Sequence, residues 1–108
     1  MFYIIQDVIM IKHVVCFKLQ EPSEDLLKKT RDILLSMKGN VPMLRDIEVG
    51  VDFLHSSRSY DIILIVTLDS KEDLDKYQND PYHCDVVKRY MHSVASSSIA
   101  LDWVVGEK

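Results

Sequence analysis

Glycine and proline are scarce in this chain, at three of each among 108 residues. Two cysteines, Cys16 and Cys84, form no CxxC pair and no disulfide framework, so a staple-dependent secreted scaffold is excluded and a reduced, cytoplasmic setting is the plain expectation. With so few glycines there is no Gly-rich phosphate loop and neither a Walker nor a Rossmann pattern. HExxH and acidic metal-loop motifs are missing as well, so no metal or cofactor is expected. Bases do not form a run or stripe. Thirteen Lys and Arg are interspersed with seventeen Asp and Glu for a net charge of -4, which leaves no phosphate-neutralising footprint and no nucleic-acid partner. Apolar stretches all fall short of the roughly 18 residues that a membrane span needs.

What is present is one domain's worth of chain with a substantial core, since 47% of the residues are hydrophobic. The segment from Met1 to Ile9 is apolar, but it lacks a basic n-region and a small-residue cleavage site and is interrupted by Gln6 and Asp7, so it does not read as a signal peptide. It reads as a strand-like extension against a sheet edge or a partner, with Met10 an alternative start and the domain proper spanning 10–108.

Beyond it, Ile11 to Leu19 is β-branched and aromatic and stops before Pro22, which predicts a strand. Ser23 is an N-cap followed by Glu24 and Asp25, where a helix dipole favours acids. Leu26, Leu27, Ile33, Leu34 and Met37 give that helix one apolar face, and Gly39 is its stop signal. From about Leu44 to Leu54, Ile47, Val49, Val51 and Phe53 alternate with polar residues as a half-buried strand. A polar turn, His55 to Ser59, leads into a third strand, Tyr60 to Leu68, apolar on both faces and carrying Ile63 and Ile65. Ser70 caps a short helix with Leu74 and Tyr77. Asp80 and Pro81 break it and cap a third helix, whose stripe is Val86, Val87, Tyr90, Met91 and Val94. Ser96 to Ser98 form a joint before a fourth strand of alternating Ile99, Leu101, Trp103 and Val105.

The order strand, helix, strand, strand, helix pair, strand is the split βαβ pattern of an α+β, ferredoxin-like βαββαβ fold with a four-stranded antiparallel sheet. Strands one and three, apolar on both faces, belong in the centre. Helices can cover only one face of such a sheet. The other face remains an apolar patch, which a two-fold homodimer would bury.

Few residues invite chemistry. His13 lies on the strand face of Val15 and Phe17. His83 lies on the core stripe of the third helix, and Tyr77 on that of the second. Each alone is most simply a hydrogen-bonded or packed core residue. Together they converge on the space between sheet and helices, where two imidazoles and a phenol could carry out general acid–base work near neutral pH. The bland alternative is a buried polar network that specifies the core. His55 and His92 read as exposed and without a role. Cys16 alternates away from His13, and Cys84 points round the helix from His83, so neither is a nucleophile. Asp46, Glu48 and Asp52 read as a solvated edge, and Tyr90, Met91 and Trp103 as core.

Four segments, in this order and spacing, carry a family resemblance. They are Ile11-Lys12-His13-Val14-Val15-Cys16-Phe17-Lys18-Leu19, Ile47-Glu48-Val49-Gly50-Val51-Asp52, Ser59-Tyr60-Asp61-Ile62-Ile63-Leu64, and Leu74-Asp75-Lys76-Tyr77-Gln78-Asn79-Asp80-Pro81-Tyr82-His83. The chain from about Met10 to Val105 resembles the stress-responsive A/B barrel (Dabb) domain proteins. The last segment is similar to the family's "YxxHPxH". The resemblance implies a homodimer whose sheets form a central barrel, a dimeric α/β barrel. A plant branch of the family resembles polyketide cyclases, which close rings by aldol chemistry. The site residues of that branch match His13, Tyr77 and His83 here. One position departs from the pattern, since Asp80 stands where the family has the first histidine of "HPxH". The same fold also serves monooxygenases and haem-degrading enzymes. The functional expectation is a homodimer that binds a small apolar or carbonyl-containing molecule. Cofactor-independent chemistry would use His13 and His83 as base and acid, with Tyr77 orienting or polarising the substrate oxygen. The alternative is a non-catalytic dimeric module with structural histidines.

Overall fold

The computed structural model describes residues 10–106. The expected extension, 1–9, lies outside the described residues. Element order follows the sequence pattern: β1 (Ile11–Leu19), α1 (Glu24–Leu35), β2 (Asp46–Val51), β3 (Ile62–Leu68), α2 (Lys71–Asn79), a π-helical turn (His83–Lys88) running into α3 (Arg89–Val94), and β4 (Ala95–Val104). The four strands form one antiparallel sheet in the order β2-β3-β1-β4, which puts the two doubly apolar strands in the centre. This is the ferredoxin-like α+β fold.

Caps set the helix starts. The Ser23 hydroxyl accepts from the Leu26 N–H and the Ser70 hydroxyl from the Asp73 N–H, each satisfying a donor that the first helical turn leaves unpaired. α1 ends at Leu35, ahead of Gly39, whose positive φ of 86° carries the chain through the following turns. Those turns still deliver Met37 and Val41 to the core.

The two sheet faces are unlike. Ile11, His13 and Leu19 of β1, and Ile62, Leu64, Val66 and Leu68 of β3, are buried under the helices. Their alternate neighbours Val14, Cys16, Ile63 and Ile65 are only half-buried, because none of the described helices covers that side. Sequence reasoning gave Ile63 and Ile65 a fully covered strand, but within the protomer only the other set is covered. β4 departs further. Ser96 to Ser98 belong to the strand itself, because α3 stops at Val94 and Ala95 is already extended. Trp103 is not core. It is 43% exposed and shares the open face with Ile99 and Leu101, at 53% and 64%. The apolar side of β4 thus turns away from the helices, and its small and acidic side, Ser98, Ala100 and Asp102, turns toward them. Register enforces this, because His13 pairs with Asp102 and Val14 with Leu101, and directly opposed residues share a face.

β2 is shorter than the alternation suggested. It ends at Val51, leaving Phe53 and Leu54 at 88% and 69% exposure in the turn. The third helix also departs from a simple stripe. Residues 81–94 are helical throughout, but the π turn shifts the phase, so Val86 is exposed while His83, Val87 and Met91 are buried. Two hydroxyl pairs tie this helix to α1: Thr30 with Tyr90 at 2.9 Å, and Ser36 with Tyr82 at 2.7 Å.

Candidate functional site

Between the helices and the helix-facing side of the sheet lies a cavity of about 420 Å³. His13, Tyr77 and His83 all line it, as the strand and helix spacings predicted. Its body is apolar, formed by Val15, Phe17, Leu64 and Met91 among others.

His13 reaches it from the central strand. Its Nδ1 lies 2.5 Å from the Asp102 carboxylate on β4. Carboxylates accept, so Nδ1 carries the hydrogen, and it is Nε2 that holds the lone pair in the neutral imidazole. Sequence reasoning missed Asp102. The usable signal was that it is the single acid between Ile99 and Val105, on a strand that must pair with one of the two central strands. The missing datum was the register, which shifts at Lys18 and Leu19.

His83 enters from the π turn. Asp80, the residue standing where the family has histidine, is buried, and its carboxylate accepts from the His83 backbone N–H at 2.9 Å. It therefore caps this helical turn, as its position before Pro81 suggested. Burial, reinforced by the charges of Lys88 and His13, holds the His83 imidazole below the ordinary histidine value. A nearby Tyr77 carbonyl and Asp80 oppose this more weakly. His83 Nδ1 is buried and, among the described residues, makes no hydrogen bond of acceptable geometry. A polar atom in that state is costly unless water or a ligand completes it.

The depressed value has a consequence for folding. The unfolded chain takes up a proton near the ordinary value of 6.5, and the folded chain does so only at lower pH. Stability from this residue is therefore intact above about pH 6.5 and falls as the pH drops through that value. Denaturation midpoints measured from pH 8 to pH 5 should decline less in His83→Gln than in the native protein. Parallel curves would contradict a buried neutral His83.

Tyr77 is fully buried and contacts both imidazoles. Its ring stacks on His83 with centroids 4.2 Å apart and meets His13 edge-on at 5.7 Å. Its hydroxyl donates to the Met37 sulfur at 3.7 Å, and burial, with the Asp80 charge adding, pushes the phenol well above the usual tyrosine range. The phenol oxygen is thus directed at the turn that follows α1, and the ring is what the two histidines touch.

His92, which read as exposed and unassigned, is exposed, yet it lines the rim of this cavity together with Lys88. Cys84 donates to the Gln78 carbonyl at 3.2 Å, and Cys16 lies on the open sheet face, where burial raises its thiol. Among the described residues, no three His, Cys, Asp or Glu side chains cluster as metal ligands, and no helix is long and apolar enough to cross a membrane.

Comparison with known proteins bears on this geometry. The family model described as "Stress responsive A/B Barrel Domain" matches residues 11–105. No curated protein sequence matches. Among solved structures, the chain is similar to a dimeric protein of unknown function and ferredoxin-like fold from Bacteroides fragilis, at 23% identity and a TM-score of 0.75 over 88% of this chain and 95% of that one. It is similar to a Dabb family protein from Mesorhizobium loti, at 20% identity and a TM-score of 0.68 over 89% and 96%. It is also similar to a hydroxynitrile lyase from Passiflora edulis, at 12% identity and a TM-score of 0.73 over 92% and 95%. At these identities the likeness is one of fold.

Proposed function

The chain belongs to the stress-responsive A/B barrel domain family, and from that premise we propose that it is a homodimer that binds a small carbonyl compound in the cavity beside His13 and His83 and moves a proton on it without a cofactor. The observation that carries this reading is the pairing of His13 Nδ1 with Asp102 at the wall of a 420 Å³, mainly apolar cavity that the His83 ring also lines. Asp102 is a positioning residue. It fixes the tautomer that leaves Nε2 of His13 able to accept a proton. In the reaction we propose, Nε2 takes a proton from the carbon next to the carbonyl. The electron pair moves onto the carbonyl oxygen as an enolate, and a neutral N–H of His83 donates to that oxygen. Once the proton on Nε2 has been replaced from solvent, His13 returns a solvent-derived one to the carbon, which completes the exchange; in ring closure the enolate carbon instead attacks a second carbonyl, and the alkoxide formed there takes the proton from His13. The apolar walls exclude water and strengthen both contacts. The hydroxynitrile lyase among the structural relatives, which by its name acts on a compound built from a carbonyl, makes this substrate class a reasonable one to test first.

The test is proton exchange. Phenylacetaldehyde in D2O, followed by proton NMR, should lose its α-hydrogens faster with the native protein than in buffer. His13→Ala should cut that acceleration by about 10²–10⁴-fold, with its fold retained by circular dichroism. No acceleration, with phenylacetaldehyde still raising the melting temperature, would leave a binding protein. Neither effect would leave the module with structural histidines.

A further inference from the structure

We propose that the mouth of the cavity is a subsite for a single carboxylate, so that the ligand is a small amphipathic acid whose apolar body fills the interior and whose carboxylate meets Lys88 and His92. This rests on the reading of the cavity as a ligand site and names the class of ligand it takes.

The lining residues of the cavity are sorted by polarity. Apart from His13 and His83, the buried lining residues are aliphatic and aromatic. The exposed ones are Lys88, His92, Ala100 and three consecutive serines, Ser96 to Ser98. Among the described residues, no Asp or Glu lines the cavity. That is unexpected in a chain whose net charge is -4, and it makes the mouth locally positive in a negative molecule. Lys88 and His92 are four residues apart on one helical run, so both side chains rise from the same face toward the opening. Among the described residues neither enters an ion pair or a hydrogen bond with another side chain. Asp102, the acid nearest the histidines in the register, is taken up by His13. The serines supply hydroxyl donors. Ser96 already donates to the Lys18 carbonyl at 3.3 Å, while Ser98 sits opposite Phe17 on the cavity side of the sheet.

The strength of the charge sets the class of anion. One ammonium, one imidazole and hydroxyls match one negative charge. Among the described residues the lining has no guanidinium, which recognition of a phosphate group favours. Lys88 is also close enough for its charge to be felt by His83. A carboxylate at the mouth would screen that repulsion and couple ligand binding to the state of the imidazole below.

Matched pairs of probes test this by calorimetry on the native dimer: hexanoate against 1-hexanol, and phenylacetate against 2-phenylethanol. Each acid should bind at least about ten-fold more tightly than its alcohol. In Lys88→Met that preference should vanish while the alcohols keep their affinity. Because Lys88 is exposed, the variant keeps its core. Carboxylates should also move the His83 imidazole titration upward in NMR, an effect lost in Lys88→Met. Equal binding of acid and alcohol, or a preference that survives Lys88→Met, would overturn the carboxylate subsite and leave the ligand cavity standing. Failure of all four probes to bind would overturn both.

Discussion

Tyr77→Ala is expected to destabilise the protein by about 3–5 kcal/mol, the range for deleting a large aromatic side chain from a core, whereas Tyr77→Phe should stay within about 1 kcal/mol of the native protein. The first figure follows from burial. Tyr77 has no exposed surface, and its ring is wedged against both His13 and His83. Removing it would join the space it fills to the existing cavity and take away the stacking surface of one imidazole and the edge contact of the other. The second figure follows from the hydroxyl, whose partner is a thioether sulfur at 3.7 Å, a weak acceptor. Urea midpoints of the two variants check both values. The same pair of variants separates two roles for Tyr77. If the ring acts as a spacer that holds the imidazoles in place, Tyr77→Phe keeps proton exchange on phenylacetaldehyde. If that variant is stable but inactive, the phenol itself touches the ligand, and its bond to Met37 is broken in the working complex.

Much of this arrangement was legible in the sequence, and what was not has a common cause. Element order, the central position of β1 and β3, and the convergence of His13, Tyr77 and His83 follow from periodicity, because period two and period 3.6 each assign a side chain to a face without any knowledge of the partner. Asp102, the exposure of Trp103 and the rim position of His92 depend on quantities that periodicity does not carry. The first two need the register and facing of β4. Its apolar residues resemble those of any half-buried strand, and only pairing with β1 shows that they point away from the helices. The third needs the phase of the last helix. An α-helical count puts Val86 on the buried stripe, and the π turn moves it out while directing Lys88 and His92 to the cavity. Asp80 is the reverse case, where local chemistry sufficed. An acid before Pro81 is a cap, and the bond from the His83 N–H is that cap.

Ile65→Asp is expected to convert a dimer into a folded monomer at micromolar concentration. The sheet's open face carries Val14 and Cys16 of β1, Ile63 and Ile65 of β3, and Ile99, Leu101 and Trp103 of β4, and among the described residues no helix lies over any of them. An apolar surface that spans three strands is larger than a monomer usually leaves in water. Two such faces packed together would form the roughly 1,000 Å² or more of a specific interface. An aspartate at the centre of that contact would meet its own copy across the two-fold axis or lie unpaired in a dry interface, and either costs more than an interface of this size gains. In the separated protomer Ile65 is only half-buried, so the carboxylate can turn to water and the core beneath, built on Leu64 and Val66, is undisturbed. Leu101→Asp, at a site 64% exposed in the protomer, serves as a second variant on the same face should the first lower stability. Glu72→Lys, on α2 and away from the sheet, is the control that should leave assembly unchanged. Sedimentation velocity reads all three. A native protein that sediments as a monomer, or aspartate variants that remain dimeric, would refute the open sheet face as the interface. Dissociation with the helices and the cavity intact would mean that β4 has its orientation for two reasons at once, with Asp102 turned inward to His13 and Leu101 and Trp103 outward to the second copy.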